Sequence, residues 1–367
     1  MGSGCGDLKM SKARQLGAVG SQLANKNMII NGDMRIAQRG TSFPAITSTY
    51  SLDRWGYGAN SDAVVTISQG VNAPTGSPQN LCPFTKYFEL DVTTADTSLA
   101  ATQYAHILYH MEGYDAEPLA LGSSQAQSFT ISFWHAHTKI GTHAIAIRNN
   151  DATRSYVAEY TQSSADTWEY SEITIPGCRN GTWLTGSNRA LSVLFTPGTG
   201  STYAGTPGSW LSGNYIGSTG QVNNLDSTSN FFRFTGVKME VGKQATPFVL
   251  RPIGEELALC QRYYQKSYEY GTAPGTATTI GAWNLAADRA ALVQYISEPF
   301  LVIMRTTPTF AVYGTTGTSN EITGVDSASL TFSSFAASAR GIQNIAATGA
   351  FTATDRYRVH WTADAEF

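Results

Sequence analysis

Charge is what this 367-residue chain has least of. Only 14% of its residues are Asp, Glu, Lys or Arg, against roughly 25% in ordinary soluble proteins. The balance is slightly acidic, at −3, so there is no basic footprint for nucleic acid and no long-range pull toward anionic lipid. Long apolar runs are also missing, which excludes a helical membrane span and membrane insertion by that route. The first residues carry no apolar core of a secretory signal, which sets the expectation of assembly in a cytoplasm. The four cysteines, Cys5, Cys82, Cys178 and Cys260, lie too far apart for a CxxC or a metal-ligand spacing and read as free thiols. No GxSxG, HExxH, phosphate-cradling or dinucleotide fingerprint occurs, and no catalytic residue is assigned.

What the chain does contain is 35 glycines, 11% aromatics and 42% hydrophobic residues. That mixture describes many short strands and turns, not disorder. The reading is a mainly β protein. The pattern divides into residues 1–26, a β-domain at 27–252, a linker helix at 253–266 and a smaller β-domain at 267–367. Alternating stretches at 63–68, 87–92, 105–110, 128–134, 143–147, 156–160, 168–175, 191–195 and 231–241 read as strands of an antiparallel sandwich. Phe129, Ile131 and Phe133 share its core face. In the second domain, 291–296, 300–304, 309–313 and 357–361 read as strands. The alternation in Phe231–Val241 changes phase at Gly236, which marks a β-bulge. Glu255 and Glu256 open the helix, where its dipole favours negative charge. The loop from 197 to 229 is long, polar and aromatic-studded, as functional or neighbour-supported loops are.

Several runs resemble a widespread family of bacteriophage tail-fibre and minor virion proteins. They are Gly236-Val-Lys-Met-Glu-Val-Gly, Ala245-Thr-Pro-Phe248 and Glu255-Glu-Leu-Ala-Leu-Cys-Gln-Arg-Tyr-Tyr-Gln-Lys266. Near the other end are Asn27-Met-Ile-Ile-Asn-Gly-Asp-Met-Arg-Ile-Ala-Gln-Arg-Gly-Thr41 and Tyr50-Ser-Leu-Asp-Arg-Trp55. Ser132-Phe-Trp134, Arg154-Ser-Tyr-Val-Ala-Glu-Tyr160 and Thr167-Trp-Glu-Tyr170 belong to the same resemblance, which spans residues 27 to about 310. It implies a jelly-roll β-sandwich similar to carbohydrate-binding modules, carried on a virion. Residues 1–26 would then attach to phage tail or capsid proteins. No lysine follows Lys266, and exposed strand edges normally carry charge. The scarcity points to edges covered by other subunits; with the threefold plan of the fibres it resembles, the expectation is a homotrimer.

The reading is the first of three functions, a binding protein and not an enzyme, and the other two are its alternatives. The first is a tail fibre or receptor-binding protein that engages a host surface glycan. Another is a purely structural head fibre, capsid decoration or tail adaptor. The third is a glycan-degrading tailspike. The glycan-binding candidates are Trp183, Tyr203, Trp210, Tyr215 and Asn214, since aromatic faces stack on sugar C–H surfaces while amides supply directional hydrogen bonds. Tyr268, Tyr270 and Trp283 form a second set. His135, His137 and His143 have strand spacing for a zinc site, but they read as polar residues at a strand end, and no metal site is assigned. A structural calcium would draw on Asp33, Asp53, Glu159 and Glu240. Asp53-Arg54-Trp55 reads as a buried anchor.

Overall fold

The computed structural model describes residues 27–73 and 84–367; the expected attachment segment 1–26 and Cys82 lie outside them. The first domain is a jelly-roll β-sandwich. Its strands are β1 (Ser42–Phe43), β2 (Thr49–Tyr50), β3 (Trp55–Asn60), β4 (Val64–Val71), β5 (Lys86–Thr94), β6 (Tyr104–Glu112), β7 (Phe129–His137) and β8 (Gly141–Asn149). They continue with β9 (Arg154–Gln162), β10 (Glu169–Ile175), β11 (Arg189–Thr199), β12 (Ala204–Gly205), β13 (Trp210–Ser212), β14 (Gly217–Ser218) and β15 (Phe231–Val241). One sheet runs β1-β4-β5-β15-β7-β10, and the other β13-β9-β8-β11-β6-β3-β2. Alternation decides which side chains meet between them. Phe129, Ile131 and Phe133 from one sheet and Ile107, Tyr109, Val193 and Phe195 from the other are wholly buried in one core. Phe195 stacks on Phe234 with ring centroids 4.3 Å apart, and each such buried ring contributes about 1.5–3 kcal/mol.

The bulge is where the sequence places it. The pairing of β15 with β7 shifts between Thr235 and Lys238, and Gly236 has a φ of 61°. A Cβ there would lie 2.6 Å from Phe84 Cζ, so both conformation and space require glycine.

The histidines depart from expectation. His135 and His137 are not polar residues beyond the core strand. They complete β7, and with His143 they are fully buried. His135 bridges Gln162 and Ser171 at 2.9 Å each. His137 reaches Tyr160 Oη at 2.9 Å, and His143 the Lys139 carbonyl at 2.9 Å. Their rings stack among Tyr160 and Phe232. Aromatic packing and hydrogen bonds to neutral groups let the sandwich end close over imidazoles that polarity alone would place outside.

A short helix α1 (Gly113–Ala116) follows β6. The linker helix α2 is Ile253–Gln261, shorter than the 253–266 expected, because β16 (Tyr264–Lys266) joins the second domain's sheet. Glu256 does more than favour the dipole: it accepts from the Asn31 amide and from Arg251 at 2.9 Å.

The second domain adds β17 (Trp283–Ala286), β18 (Val293–Pro299), β19 (Thr309–Tyr313), β20 (Glu321–Gly324), β21 (Leu330–Ser338), β22 (Gly341–Ala347) and β23 (Arg356–Asp364). The last strand is its hub, pairing with β16, β17, β19 and β20. The expected strand at 300–304 is irregular, with Leu301 81% exposed. Apolar content alone resembles a strand; here Phe300 and Met304 enter the second core while Leu301 and Ile303 face outward.

The chain's last residues return to the first domain. Arg54, wholly buried, pairs with Glu366 and lies 3.4 Å from the Tyr263 ring centroid. Asp53 accepts from the Gln38 amide at 2.6 Å, and Trp55 Nε1 donates to the Asn31 carbonyl at 3.0 Å. Arg305 donates to the carbonyls of Ala365 and Glu366 at 2.7 Å and of Ser187 at 2.9 Å. Arg54 is therefore a buried joint between the domains, with Asp53 and Trp55 anchoring it inside the first.

Candidate functional site

The two faces of the seven-stranded sheet are built differently. Ala105, Ile107, Tyr109 and Met111 of β6 point into the core. The alternate residues Tyr104, His106, Leu108 and His110 point the other way and line a groove of about 490 Å³. Facing β6 across the pairing is β3, whose outward positions are Gly56 and Gly58. A Cβ on Gly58 would come within 2.9 Å of His106 Nε2, so the missing side chains are what keep this floor open.

One wall of the groove comes from the 197–229 segment, which is more ordered than its composition implies. β12 and β14 pair in parallel, β13 pairs with β9, and Ile216 donates to the Tyr203 carbonyl at 2.9 Å. Ile216 seats on Ala144, Ala146, Val157 and Leu194, covering one half of the sheet and leaving the other half concave. Tyr203 and Asn214 stand at the boundary, and Tyr50 and Phe367 line the opposite part.

The polar groups are mostly cationic or neutral donors. Arg148 Nη1 donates to Asn214 Oδ1 at 2.6 Å. Arg189 donates to Asn150 Oδ1 and to its carbonyl, both at 2.9 Å, and to His110 Nε2 at 3.2 Å. Because His110 Nε2 accepts that bond, its Nδ1–H donates to Ser192 Oγ at 2.8 Å and the ring is neutral. Burial first, then the Arg189 charge, holds His110 well below its ordinary value. Burial and Arg148 push His106 down to about 3. Tyr104 and His106 lie parallel at 5.3 Å, and Tyr203 meets Tyr104 edge-on at 5.2 Å.

The five sequence candidates are not one site. Tyr203 and Asn214 line the groove. Tyr215 packs beneath the loop with Ile216. Trp183 and Trp210, both half-buried, meet edge-on at 5.6 Å, and their indole N–H groups donate to the carbonyls of Asn180 and Pro176; neither lines the groove, and Trp183 lines a separate small hollow with Leu121 and Leu184. Missed were Tyr50, Tyr104, His106, His110, Arg148 and Arg189. The signal was present in Tyr104-Ala-His-Ile-Leu-Tyr-His110: a strand whose core-facing residues alternate with aromatic and imidazole groups has a second face with work to do.

Of the second set, Tyr268 stacks on His360 at 3.8 Å, and Tyr270 Oη donates to the Arg35 carbonyl at 3.0 Å. Trp283 lines a separate hollow of about 450 Å³ with Asn284, Glu298, Leu301 and Trp361. The carboxylates weighed for calcium each meet protein donors: Asp33 meets Arg35, Asp53 meets Gln38, Glu159 meets Ser218, and Glu240 meets Lys238 and Thr246. Among the described residues no three His, Cys, Asp or Glu are grouped to hold a metal. Cys178 and Cys260 are free and buried.

No family model matches the chain, and no curated protein matches it. Solved structures similar to it include the enzymatically active domain of bacteriophage CBA120 tailspike protein 4, at 13% identity and a TM-score of 0.32 over 59% of this chain. The chain covers only 21% of that structure's length. A family 4 carbohydrate-binding module is similar at 12% identity and TM-score 0.31, over 58% of this chain and 98% of the module. The family 11 module of Clostridium thermocellum Lic26A-Cel5E is similar at 13% and 0.28, over 56% and 98%. Among solved structures, then, the chain's neighbours are carbohydrate-binding modules and a phage tailspike domain.

Proposed function

We propose that this chain is a glycan-recognition protein of a bacteriophage virion appendage, a tail fibre or receptor-binding protein that attaches the particle to host surface glycans. The observation that carries the reading is the groove on the outer face of the seven-stranded sheet, with Tyr104, Tyr203, Asn214, Arg148 and Arg189 on its walls. It combines rings for sugar C–H surfaces with directional donors, as small-ligand sites do. Recognition is favoured over hydrolysis because the lining includes neither Asp nor Glu, whereas glycosidases generally use two placed carboxylates. The place on a virion draws on the residue-level resemblance of 27 to about 310.

Such a groove binds weakly alone, and copies on one appendage would raise avidity. The second domain supports assembly into a homotrimer: Ile280, Tyr295, Leu301 and Ile303 are large, apolar and 51–81% exposed. The same exposed residues favour the structural alternative, an appendage component held by its neighbours. Light scattering decides the assembly, a monomer mass being the adverse result.

The test of function is saturable binding of the full chain to host cells, with competition against phage adsorption. Tyr203→Ala should lower binding about tenfold, the effect of removing an anchoring ring, while Trp210→Ala leaves it unchanged in folded protein. Loss through Trp210 but not Tyr203 would move the site elsewhere.

A further inference from the structure

We infer that the groove selects acidic glycans, with Arg148 and Arg189 as a paired receptor for a carboxylate or sulfate carried on a sugar ring. The inference rests on the glycan reading of the groove and specifies what that site takes.

The setting of these two guanidiniums, together in a groove lined by no acidic residue, carries it. Arg35 faces Asp33, Arg39 faces Asp364, Arg54 faces Glu366, Arg233 faces Glu89, Arg251 faces Glu256 and Arg262 faces Glu112. This is the ordinary arrangement for a guanidinium drawn out of water. Arg148 and Arg189 are half-buried, and among the described residues neither has a carboxylate partner; Arg154, Arg305 and Arg358 share that state, but they meet Ser212, main-chain carbonyls and Asn284 outside the groove. Arg148 and Arg189 share a groove whose lining holds no acidic residue, in a protein whose net charge is −3.

Donor accounting points the same way. Arg148 directs one N–H at Asn214 Oδ1, and its Nε–H is covered without a partner. Arg189 spends one hydrogen from each of its three nitrogens on Asn150 and His110, leaving one on each terminal nitrogen. His106 Nδ1 is a further covered atom without a partner. Planar forks with free donors match the oxygens of a carboxylate or sulfate. Neutral His110 adds no charge, so the two arginines set the sign of the site.

The experiment is calorimetric titration of the full chain with acidic polysaccharide fragments, each paired with its own carboxyl-reduced or desulfated counterpart. The carboxylate and sulfate arms identify which oxyanion is taken. The acidic member should bind at least about tenfold tighter, since hydrogen bonds to charged groups carry that much. Raising salt from 50 to 500 mM, roughly a threefold shorter screening length, should weaken the acidic member alone. Arg148→Gln and Arg189→Gln should each lose about tenfold on acidic fragments and under about twofold on neutral ones, and Arg148→Lys should retain part of the preference. Equal affinity for both members of every pair, with the Gln variants unchanged, overturns the inference while leaving neutral glycan recognition standing. No binding of any fragment by wild type, with Tyr203→Ala indifferent on cells, removes both. If a Gln variant fails to fold, the paired affinities and salt response of wild type decide the question alone.

Discussion

Replacing His143 with phenylalanine should reverse the stability order between neutral and acid solution. His135 and His143 are pushed from 6.5 down to about 4, by burial first, and His137 is held well below its ordinary value by burial and its two neighbours. The hydrogen bond that His135 Nδ1–H donates to Gln162 Oε1 and the Glu169 charge act against burial at His135. The folded state holds these rings neutral, so the unfolded chain takes up protons first as pH falls. Stability is therefore full above the ordinary value of 6.5 and drains away toward pH 4. For a shift from 6.5 to about 4, one imidazole removes about 2 kcal/mol at pH 5 and about 3 kcal/mol near pH 4. Phenylalanine keeps the ring among His137, Tyr160 and Phe232, at centroid distances of 4.3, 5.6 and 5.8 Å. It forfeits only the bond to the Lys139 carbonyl, about 1 kcal/mol. At pH 7.5 the variant should be the weaker protein by about 1 kcal/mol, and at pH 5 the stronger by a similar margin. Urea unfolding at pH 7.5, 6 and 5 measures both. Asp53 and Glu366, whose carboxyls burial pushes up, titrate alike in both proteins and cancel. Parallel stability profiles would refute the reasoning, because they would mean that His143 is charged in the folded state or never desolvated.

Other expectations follow from geometry. Gly236→Ala should cost about 2–3 kcal/mol, from the left-handed backbone and the contact with Phe84, read as a lower urea midpoint at constant slope. Glu366→Ala strands the buried Arg54 charge and should cost about 3–5 kcal/mol, whereas Arg54→Met with Glu366→Met should cost less; a double variant as weak as the single would contradict this. Gly58→Leu should close the groove floor against His106 and abolish glycan binding, while circular dichroism still reports a folded sheet.

How much of this was readable in the chain depended on the kind of signal. Strands with one buried face announced themselves: Phe129, Ile131 and Phe133 alternate cleanly, and the phase change at Gly236 located the bulge. Short apolar runs did not, because Phe300 to Met304 resembles a strand by composition while its exposure is decided by neighbours far along the chain. The helix was overextended to Lys266 because Tyr264 fits a helical face as well as a β-strand; the pairing of Tyr264 with Asp364 is a contact across a hundred residues. The aromatic loop draws attention to Trp183 and Trp210, yet neither ring lines the groove. The groove lay instead on β3 and β6, with Arg148 and Arg189 beside them, where outward positions look like ordinary solvent-facing ones until the loop folds over half the sheet.

The return of the chain's last residues has a mechanical consequence. A module joined by one connector can swing; here α2 with β16 forms one connection and the segment after β23 forms another, the latter gripped by Arg305 and Arg54. Two crossings make the pair a lever rather than beads on a string. Phe367, which rests against His110 and Arg305 while lining the groove, lies at the end of that second crossing. Tension applied to the second domain would thus reach the wall of the groove directly, and cutting the chain at Gly254 would dismantle that wall rather than isolate an intact binding domain.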